Sequence, residues 1–183
     1  GLVTSAGRNG AGQLGSGNTT RRAYFAPATG LSNVIALEGG DYFSLALRAD
    51  ATVWSFGSNT NGQLGLGDTS NRTVPTQITH SNLTSIIAVA AGAEHSLALH
   101  SNGLVYGFGE GTYGRIGDGT TTQRTSPVQV TNLSGVSAIA AGDAHSLAIS
   151  NGLVYAWGYG TYGRLGYGGT TNRTTPTQVS GLS

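Results

Sequence analysis

The sequence has 183 residues, room for one domain with a genuine core, and only 9% of them are charged against about 25% in an ordinary soluble protein. Its nine basic residues are all arginine and face eight acidic ones, so the net charge of +1 excludes a strongly basic nucleic-acid binder and an acidic tail. Cysteine is absent, which excludes disulfides, thiolate metal sites and a cysteine nucleophile.

Glycine supplies 31 positions without a three-residue period and proline only four, so collagen is excluded. No apolar run reaches the roughly 18 residues of a membrane span, and nothing at Gly1 reads as a signal peptide. A first residue other than methionine predicts a chain cut from something longer or processed.

The first element, Gly1-Leu-Val-Thr-Ser-Ala-Gly7, returns as Ala51-Thr-Val-Trp-Ser-Phe-Gly57, Gly103-Leu-Val-Tyr-Gly-Phe-Gly109 and Gly152-Leu-Val-Tyr-Ala-Trp-Gly158. A second follows within each unit: Gly12-Gln-Leu-Gly15, Gly62-Gln-Leu-Gly65, Gly114-Arg-Ile-Gly117 and Gly163-Arg-Leu-Gly166. Pro27, Pro75, Pro127 and Pro176 come next, one per unit and read as equivalent. Phe43-Ser-Leu-Ala-Leu47, His95-Ser-Leu-Ala-Leu99 and His145-Ser-Leu-Ala-Ile149 close the first three units; the fourth stops short of this element. The period is about fifty residues, with units at 1–50, 51–102, 103–151 and a truncated 152–183, all in one repeat domain.

Each unit reads as β. Val53-Trp-Ser-Phe56 and Val154-Tyr-Ala-Trp157 are β-branched and aromatic runs bounded by glycine, and Val136-Ser-Ala-Ile-Ala-Ala141 alternates apolar residues. The alanines between Leu83 and Leu99 suggest a helix, but Gly92 interrupts them and Gly39-Gly40 and Gly142 stand at the same place in other units, so strand–turn–strand is predicted. Thr/Asn/Gly tracts such as Gly119 to Ser126 predict surface loops, and helix content should be close to nil. A period near fifty built of about four short strands predicts an all-β propeller whose blades stack because one blade cannot bury both its faces.

The pattern of Val-x-x-Trp/Phe-Gly, Gly-Gln-Leu-Gly, a proline and Ala-Gly-x-x-His-Ser-Leu-Ala-Leu resembles the repeat of the regulator of chromosome condensation (RCC1) family along essentially the whole chain. The resemblance implies a seven-bladed β-propeller with interaction surfaces on the faces of its disc. The residues here suffice for about three and a half four-stranded blades, a partial ring. Such an arc exposes an apolar sheet face and unpaired strand edges at its ends, so further blades from a longer chain or further copies of itself are expected, as a closed ring or a filament.

Few residues qualify for chemistry. Gly109-Glu-Gly-Thr-Tyr-Gly114 and Gly158-Tyr-Gly-Thr-Tyr-Gly163 match the dinucleotide-binding glycine pattern, but no helix is predicted after either to hold a pyrophosphate. His95-Ser96 and His145-Ser146 suggest a hydrolase until strand geometry is applied: neighbours on a strand point to opposite faces, so these groups are expected to satisfy buried backbone in every blade. His80 and His100 are placed in loops and give no metal-ligand spacing, and Gly65 to Asp68 and Gly117 to Gly119 read as turns rather than calcium loops. No catalytic residue, metal or cofactor is predicted. Trp54 and Trp157 are assigned to the core. Asn18, Asn71, Asn82, Asn132 and Asn172 head N-x-S/T sequons, meaningful only in a eukaryotic secreted protein.

The candidate interaction surface is Tyr113, Tyr159, Tyr162 and Tyr167 with Arg115 and Arg164, since tyrosine in glycine-rich turns suits protein interfaces and sugar stacking, although the same rings would also serve packing between adjacent blades. The function expected is a non-enzymatic interaction or scaffold module, of a bacterial exported or cell-surface kind given the neutral Thr/Ser/Asn/Gly-rich composition. Its partner is a protein or a further copy of itself, with a glycan as another fit, and neither nucleic acid nor membrane insertion is expected. The resemblance also implies a guanine-nucleotide exchange role or a secreted enzyme inhibitor; an ultraviolet-sensing role is rejected because two tryptophans form no cluster.

Overall fold

The structure is a computed structural model that describes residues 1–182. Its strands run β1 (Thr4–Gly7), β2 (Arg22–Pro27), β3 (Val34–Gly39), β4 (Phe43–Arg48), β5 (Val53–Gly57), β6 (Arg72–Gln77), β7 (Ile86–Ala91), β8 (His95–His100), β9 (Val105–Gly109), β10 (Arg124–Gln129), β11 (Val136–Ala141), β12 (His145–Ser150), β13 (Leu153–Gly158) and β14 (Arg173–Gln178). Helix among the described residues is limited to two three-residue 3-10 turns, Thr112–Gly114 and Thr161–Gly163. The alanine-rich stretch is a strand, a glycine turn and a strand, as its glycines predict.

The strands form antiparallel meanders: a half-blade I (β1-β2), and full blades II (β3-β4-β5-β6), III (β7-β8-β9-β10) and IV (β11-β12-β13-β14). β3, β7 and β11 neighbour one another along the inner edge. This is the partial propeller predicted, but the sheets are cut at a different phase from the sequence units. The Val-x-x-Trp/Phe-Gly strand pairs with the Ser-Leu-Ala-Leu strand that precedes it through a tight turn, in which Ala51 N–H donates to Arg48 and Arg48 N–H to Thr52. Each unit therefore supplies the outer two strands of one blade and the inner two of the next. The incomplete blade accordingly lies at the start of the chain, where β1 and β2 stand without inner strands, while blade IV is whole.

Strand register and bounds correct three further expectations. Arg22 lies opposite Gly7 as Arg72 lies opposite Gly57, so Phe25 takes the place of Pro75, and Pro27, opposite Thr4, takes that of Gln77. The proline of the first unit is two residues out of step. The tract from Gly119 to Ser126 is only partly loop, since β10 begins at Arg124. His100 ends β8 instead of lying in a loop, its Nδ1 accepting from Asn102 N–H, while His80 does sit in a connection.

The core lies between blades. Val3, Ala28, Leu31, Ala46 and Phe56 fill the I/II seam. Phe43, Leu45, Leu47, Val89, Tyr106 and Phe108 are among those filling II/III, and Leu97, Leu99, Val105, Val130, Leu133, Ala148 and Trp157 among those filling III/IV. Trp157 is fully buried, whereas Trp54 is only partly so: it sits two residues earlier on its strand, at the place of Tyr106 and Tyr155, with its Nε1 on Thr52 and Arg48 over its ring.

Candidate interaction surface at the blade seams

The connection between the third and fourth strands of each blade reaches over to the next blade. There a serine of the second strand donates to its backbone: Ser44 to the carbonyl of Gln13 (3.1 Å), Ser96 to Gln63 (2.8 Å) and Ser146 to Arg115 (2.8 Å). An aromatic ring of the third strand closes over a glycine of the same connection, Phe56 on Gly15, Phe108 on Gly65 and Trp157 on Gly117. These glycines have φ near +64° to +85° and leave no room for a Cβ, which is why the Gly-x-x-Gly pattern recurs. Trp157 adds a bond from its indole N–H to the carbonyl of Arg115 (3.0 Å).

His95 joins this seam. Its Nε2 lies 2.9 Å from Ser146 Oγ one blade on, and because that hydroxyl gives its proton to Arg115, the imidazole Nε2–H is the donor to it. Among the described residues, Nδ1 is left buried without a partner. Burial, reinforced by the nearby charge of Arg115 and by His145, holds the imidazole pKa down at about 3, so the ring is neutral. The histidine and serine that are adjacent in sequence do not meet, as strand geometry predicts. What the pattern does not announce is that His95 meets the serine one full period later. The pair is no nucleophile and base: both side chains are fully buried and the hydroxyl proton is committed to a carbonyl.

The sequence-predicted surface residues divide. At the III/IV seam the Tyr113 and Tyr159 rings stack at 4.4 Å, with Arg115 over Tyr113 (5.6 Å) and Arg164 over Tyr159 (4.4 Å). Arg115 is buried there, its Nε–H on the Thr112 carbonyl, while Arg164, similarly bonded to Thr161, is exposed. Tyr167 serves its own blade: its hydroxyl bonds to Thr171 and its ring lies 4.2 Å from the Arg173 guanidinium. It replaces the carboxylates that hold the equivalent arginines, Asp68 on Arg72 and Asp118 on Arg124, each at 2.6 Å. Tyr162 is 89% exposed. Both Tyr113 and Tyr162 sit at positive φ (66° and 65°), a conformation that a bulky residue adopts at a cost.

Blade IV repeats the face that blade III buries. Leu97 and Leu99 lie buried under blade IV, whereas of their counterparts Leu147 is only partly buried and Ile149 is 39% exposed. They border an apolar depression with Ala138, Ile139, Ala140, Ala148 and Val154. At the other end, Phe25 is exposed in a cleft that runs along β1 and is lined by Thr4, Ser5, Ala6, Tyr42 and Phe43, and Leu37 is exposed beside Gly1, Leu2 and Val3.

The chain belongs to the RCC1 repeat family: the family model of the regulator of chromosome condensation (RCC1) repeat matches residues 50–99, 102–149 and 151–183. It is 38% identical over 118 residues to the ultraviolet-B receptor UVR8 of Arabidopsis thaliana, covering 63% of this chain and 27% of that receptor. It is 32% identical over 119 residues to the RCC2 homologue of Danio rerio, covering 64% and 24%, and 34% identical over 94 residues to the human E3 ubiquitin-protein ligase HERC2, covering 51% and 2%. Among solved structures, yeast RCC1 (Prp20) bound to Kap60 superposes with a TM-score of 0.85 at 27% identity, over 98% of this chain and 45% of that one. Prp20p of Saccharomyces cerevisiae, described with its binding to Gsp1p and histones, gives 0.84 at 26% identity over 98% and 46%. The chain thus spans less than half of each of these proteins.

Proposed function

We propose that this chain is a non-enzymatic protein-interaction module, and that the docking surfaces it offers are the seam-forming faces of its terminal blades together with the tyrosine–arginine stack beside them. One observation carries the reading. The face on which Leu147 and Ile149 lie open is the same face that blade III buries through Leu97 and Leu99, so it is already shaped to pack against β-sheet. Solved relatives support a protein partner, since yeast RCC1 is described bound to Kap60 and with binding to Gsp1p and histones. A nucleotide-exchange role has no comparable support here. A bacterial exported or surface setting rests on the sparse charge and on the lack of cysteine, and cell fractionation tests it.

Docking through these faces is tested by Leu147→Lys combined with Ile149→Lys, which puts two cations on the open face. Sedimentation and pull-down should show loss of association with further blades or partner protein while circular dichroism keeps its β signature. Association that survives both lysines places docking elsewhere.

A further inference from the structure

Blades II to IV each tie the connection between their third and fourth strands to an arginine that begins the fourth. Asp68 holds Arg72 and Asp118 holds Arg124, each at 2.6 Å, and the Tyr167 ring serves Arg173. Half-blade I breaks this rule. Its arginine is Arg22, opposite Gly7 as Arg72 is opposite Gly57, and Asn18 and Ser16 stand at the places of Asp68 and Asp118.

Asn18 keeps half of what Asp68 does. Its Oδ1 accepts from Thr20 N–H at 3.0 Å as Asp68 Oδ1 accepts from Ser70 N–H at 2.8 Å, and Asn9 Nδ2 donates to its carbonyl as Asn59 Nδ2 does to that of Asp68. With that oxygen committed, the Asn18 amide nitrogen stands where the second carboxylate oxygen of Asp68 meets Arg72, so a donor replaces an acceptor. Arg22 reaches instead to the Pro27 carbonyl, at 3.3 Å. Arg8 and Arg21 line the same depression as Arg22, Arg21 standing where Asn71 caps the backbone of blade II. All eight acidic residues lie at Glu38 or beyond, and among the described residues none of these three arginines forms an ion pair. The rim of half-blade I thus gathers donors and cations around a place from which the acceptor is missing.

We propose that this rim binds an acidic protein segment, one carboxylate of which takes the place that Asp68 fills one blade on, accepting from the Arg22 guanidinium and the Asn18 amide. The proposal rests on the reading of the chain as a protein-interaction module and adds a surface, with the chemistry of its partner, apart from the open face of blade IV. The place is not a seam between blades. Blade II has a neighbour on either side, and its Arg72 and Asp68 side chains still keep 25% and 43% of their exposure. A single exposed ion pair contributes little, so affinity comes from several guanidiniums meeting several carboxylates. Tyr24, 72% exposed, follows two residues after Arg22 at the place of Val74, itself exposed in blade II, and gives a polypeptide an apolar contact that a free anion leaves bare.

Fluorescence anisotropy of a labelled hexaglutamate peptide titrated with the full chain tests this. Asn18→Asp supplies the missing carboxylate from within and pairs Arg22 internally; Asn71→Asp adds the same charge to the connection of blade II as a control. The parent should bind the peptide, Asn18→Asp and Arg22→Gln should each weaken binding about tenfold, and Asn71→Asp should weaken it less than about twofold. Circular dichroism checks that each variant keeps its β signature. Inorganic phosphate or free glutamate, at ionic strength matched with sodium chloride, should not displace the peptide; displacement by either overturns a protein segment as the occupant. Failure of the parent to bind, or equal weakening by Asn18→Asp and Asn71→Asp, overturns the site itself. Neither failure touches docking through blade IV, which Leu147→Lys with Ile149→Lys tests separately.

Discussion

His95 shows how a single buried group reports on the whole seam. Unfolded, an imidazole titrates near 6.5; in the folded chain burial holds this one at about 3. Between those values the unfolded chain takes up a proton that the folded chain refuses, so stability is fully present above pH 6.5 and falls as the pH drops towards 3. The slope is at most about 1.4 kcal/mol for each pH unit. His145, half-buried and pushed in the same direction chiefly by burial, adds a weaker share. Asp68 and Asp118, held low by their arginines and by hydrogen bonds, lose their contribution only at more acid pH, as those carboxylates protonate. The decline between about pH 6.5 and 4.5 therefore isolates the imidazoles. Urea melts of the parent and of His95→Gln across that range should show a steep fall in the first and a flatter one in the second. Parallel curves would mean that the ring is charged or solvated in the fold.

A strand and its twin one period later allow burial to be compared at nearly constant sequence. β8 reads His-Ser-Leu-Ala-Leu and β12 His-Ser-Leu-Ala-Ile, yet Leu97 and Leu99 of β8 lie buried under blade IV, while Leu147 of β12 is only partly buried and Ile149 is exposed. Leu97→Ala should cost about 2–5 kcal/mol, because a cavity is left inside a packed seam. Leu147→Ala should cost less than half of that, since neighbouring side chains and water take up the space. Equal losses, measured by chemical denaturation, would contradict the open face. This pair also marks what the sequence could and could not disclose. The alternation in β11, the glycine that breaks Leu83 to Leu99 and the fifty-residue period made the strands and the propeller legible, because local pattern and turn chemistry decide them. The phase of the blades was not legible: a repeat has no natural first residue, and only pairing shows that β5 belongs with β4. For the same reason the tyrosines could be named as turn residues, while the stack of Tyr113 on Tyr159 and the solvation of Tyr162 depend on which blade follows. The His95–Ser146 bond had a faint signal, two columns that repeat side by side one period apart, but adjacency in one blade hides contact between blades.

For the molecule as a whole, an arc of blades in which each contacts only its neighbours behaves as a one-dimensional array, its stability a sum of blade terms and seam terms. Blade III has a seam on both sides, blade II has a full seam on one side and only two strands of half-blade I on the other, and blade IV has a seam on one side alone. Half-blade I is a two-stranded ribbon, marginal by itself, with β1 lacking an inner neighbour and Phe25 76% exposed. Opening should therefore begin at both ends and reach blade III last. Native-state hydrogen exchange should find the slowest amides at Leu97, Ala98 and Leu99, faster exchange at Leu147, Ala148 and Ile149 despite identical hydrogen bonding to the adjacent strands, and the fastest in β1 and β2. The comparison of β8 with β12 is the decisive one, because their ladders match and only the covering blade differs. If the two strands exchange alike, opening is global, the seams are not separable units, and an added blade would stabilise every strand equally instead of slowing β12 first.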